Sequence, residues 1–126
     1  MAKITGLGGV FVKRKDVAAS TQWYKNVLGI AGEYGPVFRW ADDPQDDPFS
    51  LLSSFPSETT YLDPGSRGFM LNFRVDDLDG FQKELEEKGV EILGRADEPY
   101  GKFAWILDPD GIKIELWEQI GPAPAE

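Results

Sequence analysis

One carboxylate in this 126-residue chain stands where chemistry could be done. Glu115 lies in KFAWILDPDGIKIELWEQ (102–119), a stretch that places it among Phe103, Trp105 and Trp117. Two runs of β-branched and aromatic residues flank Asp108-Pro109-Asp110-Gly111. That tetrapeptide suits a type I turn, with Asp first, Pro presetting φ at the second position and Gly last. A glycine with φ > 0 there makes a three-residue hairpin loop with a G1 bulge. The predicted register sets Asp108 opposite Ile112, Leu107 opposite Lys113 and Trp105 opposite Glu115. Side chains alternate between strand faces. Phe103, Trp105, Leu107, Lys113, Glu115 and Trp117 therefore share one face, while Ala104, Ile106, Ile112, Ile114 and Leu116 form an aliphatic core face. A carboxylate amid aromatics needs a partner. Lys113, Arg74 or Lys13 could supply an internal cation. Alternatively, an apolar wall could raise the Glu115 pKa and make it a general base, with Lys113 or Arg74 stabilising an anion.

Composition removes many other chemistries. The chain has no Cys and no His, so thiolate and imidazole are absent as ligand, nucleophile or base. The formal net charge of −9 disfavours nucleic acid and anionic membranes as partners. No run is long enough to span a bilayer, and the N-terminal residues lack the apolar core of a signal peptide. The expectation is a cytoplasmic protein. GLGG at 6–9 is too short for a phosphate-binding loop. The acidic stretch DDPQDD (42–47) reads as a solvated turn, without the Gly and terminal Glu of an EF-hand.

The remaining elements must position the hairpin. Residues 4–13 open with glycines and are expected to end as a strand, and further strands are expected over 36–41 and 49–54. A helix is expected from Val17 to Leu28, capped by Asp16 and ended by Gly29. Residues 56–67 are turn-rich and read as a mobile connection. The pattern then restarts, with a strand at 69–75, a helix over Leu78–Lys88 capped by Asp77 and ended by Gly89, and a short strand at 90–93. Placing Asp16 on Asp77 aligns Val12 with Phe73, Val17 with Leu78 and Gly9 with Met70, which is an internal repeat. Neither half alone is large enough for a good core.

The segments 10–30, 71–92 and 103–118, with DPDG followed closely by Ile-Glu-Leu, resemble the vicinal oxygen chelate superfamily of glyoxalases, extradiol dioxygenases and bleomycin-resistance proteins. The resemblance implies an α+β fold of two βαβββ modules packed side by side. Their mixed sheets would curl around a shared groove with helices outside, and the protein would usually be a dimer. On that reading the chain is one domain over 1–126, with modules at about 4–58 and 69–119. Family enzymes hold a divalent metal through positions that fall here on Gly9, Met70 and Glu115, with a fourth near 52–58. Of these only Glu115 can serve as a ligand, with Asn72 and waters as the alternative way to complete a site, and the expectation is no metal and no cofactor.

The groove lining expected from these faces is Phe11, Phe38, Trp40, Met70, Asn72, Phe103, Trp105, Glu115 and Trp117. Aromatics, a thioether and one charge are what small-molecule pockets present. Three functions follow. The first is a metal-free binding protein of the glyoxalase/bleomycin-resistance type, holding an aromatic or cationic small molecule and forming a homodimer. The second is a lyase or dioxygenase-like enzyme using an unusual metal site. The third is a non-catalytic regulatory or interaction module whose groove is filled by its own side chains.

Overall fold

A computed structural model describes residues 2–125 of the chain. The second half builds one mixed sheet with a helix on it. The strands β1 (Leu71–Arg74), β2 (Gly94–Glu98), β3 (Gly101–Leu107) and β4 (Lys113–Gln119) lie in the order β1-β4-β3-β2. Strand β1 runs parallel to β4, and the other neighbours are antiparallel. The helix α2 (Leu78–Glu87) follows β1, which gives a β-α-β-β-β unit. The first half contributes α1 (Val17–Trp23), continued by a π-helical segment over Tyr24–Leu28. Among the described residues no helix is long and apolar enough to cross a membrane.

The hairpin register is the one its sequence dictates. Trp105 pairs with Glu115, Leu107 with Lys113, and the Asp108 N–H donates to the Ile112 carbonyl at 2.9 Å. Gly111 closes the turn at φ 75°, where a Cβ would also meet the Ser66 hydroxyl at 3.0 Å. The aliphatic face forms the core. Ala104, Ile106, Ile114 and Leu116 pack against Leu78 and Leu85 of α2 and against Tyr24 and Leu28 of the first half. Both helices begin at the expected aspartates. Asp16 accepts from the Ala19 N–H at 3.0 Å, and Asp77 accepts from the Gly80 N–H at 3.1 Å. Each segment also ends at a glycine with positive φ, Gly29 at 74° and Gly89 at 80°.

The first-half strands are a correction. Among the described residues, 4–13, 36–41 and 49–54 form no ladder, and Trp40–Asp42 is a turn of 3-10 helix. A strand exists only where another backbone accepts its N–H and C=O groups, and no edge of this chain reaches these segments. Most of their apolar residues remain exposed, with Ile4 at 94%, Val37 at 73% and Leu52 at 87% of full accessibility. A smaller correction concerns 90–93. The strand begins at Gly94, although Leu93 already donates to the Trp105 carbonyl at 2.7 Å. Val90 and Ile92 instead pack against the core.

The two halves are joined at the hairpin turn. Asp108, whose side chain is fully buried, accepts from the Arg14 guanidinium at 2.5 Å and from the Tyr24 hydroxyl at 2.7 Å. It also accepts from the backbone N–H groups of Asp110 and Ile112. Asp110 accepts from the Lys15 N–H and the Ser20 hydroxyl, and these contacts, the Lys15 N–H foremost, hold its pKa below the usual carboxylate value. The turn thus fixes its own backbone and the start of α1 at once. Replacing Asp108 by Ala leaves a guanidinium and a phenol without their shared acceptor. The expected loss is about 3–5 kcal/mol of unfolding free energy, measured by urea denaturation. Substitution at exposed Pro109 should change stability far less.

Candidate functional site

On the face opposite the core, β3 presents Phe103 and Trp105, β4 presents Lys113, Glu115 and Trp117, and β1 presents Asn72 and Arg74. Strand geometry arranges the rings. Phe103 and Trp105 are two residues apart on β3, and Phe103 stands opposite Trp117 in the ladder. The result is a row of three nearly parallel rings. Phe103 and Trp105 have centroids 6.5 Å apart with planes inclined by 14°, and Phe103 and Trp117 have centroids 6.5 Å apart at 2°. The Trp117 indole lies so close to Gly101 that a Cβ there would be 2.6 Å from its nitrogen, so the row requires glycine at that position.

Glu115 is the polar centre of this face and is only 8% exposed. Its Oε2 accepts from the Tyr61 hydroxyl at 2.5 Å and from the Trp105 indole N–H at 2.8 Å. Its Oε1 accepts from the Asn72 amide at 2.7 Å. All three donors are neutral. The partner is therefore not one of the cations considered from sequence. Arg74 pairs with Asp43, donates to the Phe49 carbonyl at 2.8 Å and lies 5.7 Å from the Trp117 ring centroid. Lys113 donates to the Tyr61 carbonyl oxygen at 2.5 Å. Its ammonium sits 5.1 Å from the Tyr61 ring centroid and 5.5 Å from that of Trp105. Burial pulls the Lys113 pKa below its ordinary value, opposed by the charges of Glu115 and Asp63. Burial, and then the bond to the Glu115 carboxylate, push the Tyr61 phenol up.

Local sequence pattern does not single out Tyr61 and reads 56–67 as a mobile connection. In the structure the connection is tied to the hairpin turn. Ser66 donates through its N–H to the Gly111 carbonyl and through its hydroxyl to the Asp110 carbonyl, and Gly65 packs beside Lys113. Tyr61 stacks on Phe55 at 5.2 Å and meets Trp105 edge-on at 6.2 Å. The available signal was an aromatic hydroxyl just C-terminal to the 52–58 stretch already considered for a site residue.

Of the expected lining, Asn72, Phe103, Trp105, Glu115 and Trp117 come together. Met70 is half-buried immediately before β1. Phe38 is drawn instead to Phe73 at 5.9 Å, beside an open depression of about 540 Å³ that Arg39, Asp43, Arg74 and Asp76 also line. Trp40 is 68% exposed and lies over Gly6, and Phe11 is 99% exposed. These three lie on the first-half segments that lack a ladder, so nothing in the chain carries them to the ring row.

The residues present do not fit a metal centre. A carboxylate surrounded by a hydroxyl, an amide and an indole N–H is solvated by hydrogen atoms rather than by further lone pairs. Gly9 offers no side chain, and a thioether at Met70 is a poor ligand for hard or borderline ions. Among the described residues no three Asp or Glu side chains converge. With neither His nor Cys in the sequence, a second copy could not add an imidazole or a thiolate.

Comparison with known proteins agrees with this architecture. A curated relative, the uncharacterized protein YaeR of Escherichia coli K12, is 32% identical over 115 residues, covering 82% of this chain and 88% of that protein. Among solved structures, TnmS3, an antibiotic binding protein from Streptomyces sp. CB03234, is 26% identical with a TM-score of 0.60 and covers 95% of this chain and all of its own. A superfamily member from Sphaerobacter thermophilus shares the fold at 20% identity and a TM-score of 0.56, covering 92% of this chain and 98% of its own. The sequence profile of the Glyoxalase/Bleomycin resistance protein/Dioxygenase superfamily matches residues 6–116, and the chain belongs to that family.

Proposed function

We propose that this protein binds a small aromatic molecule without a metal, on the face formed by Phe103, Trp105 and Trp117. The observation that carries the reading is a row of parallel rings around a carboxylate that is hydrogen-bonded only by neutral protein donors. Flat rings give large contact area at low conformational cost, and offset stacking adds about 0.5–1.5 kcal/mol per pair. Glu115 acts as the fixed acceptor that orients the Trp105 and Tyr61 rings. A similarity to a protein described as antibiotic-binding supports the same direction. The enzyme reading would need Glu115 to take a proton or a metal in competition with the three donors that already hold it.

The binding unit in this proposal is a homodimer. The unpaired first-half segments carry Ile4, Val10, Phe11, Val37, Phe38, Leu51 and Leu52 on their surface, all more than half exposed. Unpaired backbone and exposed apolar side chains of this kind point to an interaction surface. A second copy supplies the same segments in return, as a two-fold interface requires. It would allow the first half to complete its sheet and bring Phe38 and Trp40 toward a ring row.

Titration with 2-naphthalenemethanol, a flat neutral probe, should quench tryptophan fluorescence saturably. Trp105→Ala or Phe103→Ala should weaken binding by about tenfold or more, while Trp23→Phe should leave it unchanged. Equal quenching in all variants would contradict the assignment. Light scattering should give the mass of two chains, and Phe11→Asp with Val10→Asp should shift it toward one. A wild-type monomer would overturn the dimer.

A further inference from the structure

The polar groups on this face are unequally occupied, and that selects the charge of a ligand. Glu115 already accepts three hydrogen bonds, two on Oε2 and one on Oε1, and is almost buried. A cationic ligand would have to compete with Tyr61, Asn72 and Trp105 for a carboxylate that is only 8% exposed. Three of the rings that would otherwise attract a cation already have one, because the Lys113 ammonium lies near both the Tyr61 and Trp105 rings and the Arg74 guanidinium near Trp117. The chain has thus filled its own cation–π position. The ammonium itself is only partly used. Of its three N–H donors one goes to the Tyr61 carbonyl oxygen, and among the described residues it makes no ion pair. Lys113 is half-exposed at the rim of the ring row, so its remaining donors can meet an incoming group.

Resting on the groove reading above, we propose that the ligand is an aromatic acid, a planar ring carrying a carboxylate or phenolate oxygen. That oxygen accepts from Lys113 while the ring packs beside Trp105 and Phe103. Lys113 is then the specificity-determining residue. It rejects cations by occupying their place and recognises anions by its unspent N–H groups. Removal of the ammonium from water, which already lowers its pKa, strengthens a charge-assisted bond to such an oxygen. Glu115 remains beneath the rings with its charge met by fixed dipoles.

The test compares three probes of one shape on the full chain by calorimetry at fixed ionic strength: 2-naphthoate, 2-naphthalenemethanol and 2-naphthylmethylammonium. The wild type should bind the carboxylate about tenfold or more tighter than the alcohol, with the ammonium weakest. Lys113→Met should abolish the carboxylate's advantage over the alcohol, and Lys113→Arg should retain the preference. An ammonium probe that binds as well as the carboxylate overturns the proposal. So does a carboxylate preference that survives Lys113→Met. Binding of the alcohol without any charge preference overturns this inference alone, whereas no binding of any probe overturns the groove reading too. The wild-type order of the three probes decides the matter even if a variant fails to fold.

Discussion

A buried carboxylate must be solvated by the protein, and on this face that requirement organises everything around it. Leaving a charge without partners in a low-dielectric setting costs several kcal/mol, so the groups that meet Glu115 are not free to move elsewhere. Tyr61 is drawn in from a connection, Asn72 from the edge strand and Trp105 from across the hairpin. Three segments far apart in sequence converge on two oxygen atoms. The rings of Trp105 and Tyr61 are thereby held at fixed angles, and Phe103 and Trp117 extend the row at the spacing of the strands.

The scaffold that makes this possible is the β3–β4 hairpin, and a second buried carboxylate secures it. Asp108 closes its own turn through the N–H groups of Asp110 and Ile112 and binds Arg14 and Tyr24 from the first half. One acidic residue thus shapes the loop and docks a helix on the core side, while another seven positions away shapes the opposite face. Charge, scarce in the interior, is placed at the two points where distant segments must meet.

Much of the second half was legible in the sequence because its information is local. The DPDG turn sets the hairpin register, alternation assigns Ile106 and Ile114 to the core and Trp105 and Glu115 to the other face, and Asp77 and Gly89 bracket a helix. The first half was legible only in its helix. Segments such as 4–13 and 49–54 have strand composition, but composition does not supply a neighbour, and their ladders do not form within one chain. Tyr61 was hidden for a related reason. Its role depends on a hydrogen bond 54 residues away in sequence, which no local pattern announces. The identity of Glu115's partners was likewise a matter of tertiary geometry, since Lys113 and Arg74 were as near in sequence terms as Asn72.

The claim at the centre of this account is that Glu115 is an anchor held by neutral donors and not a metal ligand. Calorimetric titration of the wild type and of Glu115→Ala with Ni²⁺, Zn²⁺, Mn²⁺ and Fe²⁺ tests it most directly. The account predicts no stoichiometric binding to either protein. Tight binding of one ion per site in the wild type that disappears in Glu115→Ala would contradict it and return the protein to the metal-dependent enzymes of its superfamily.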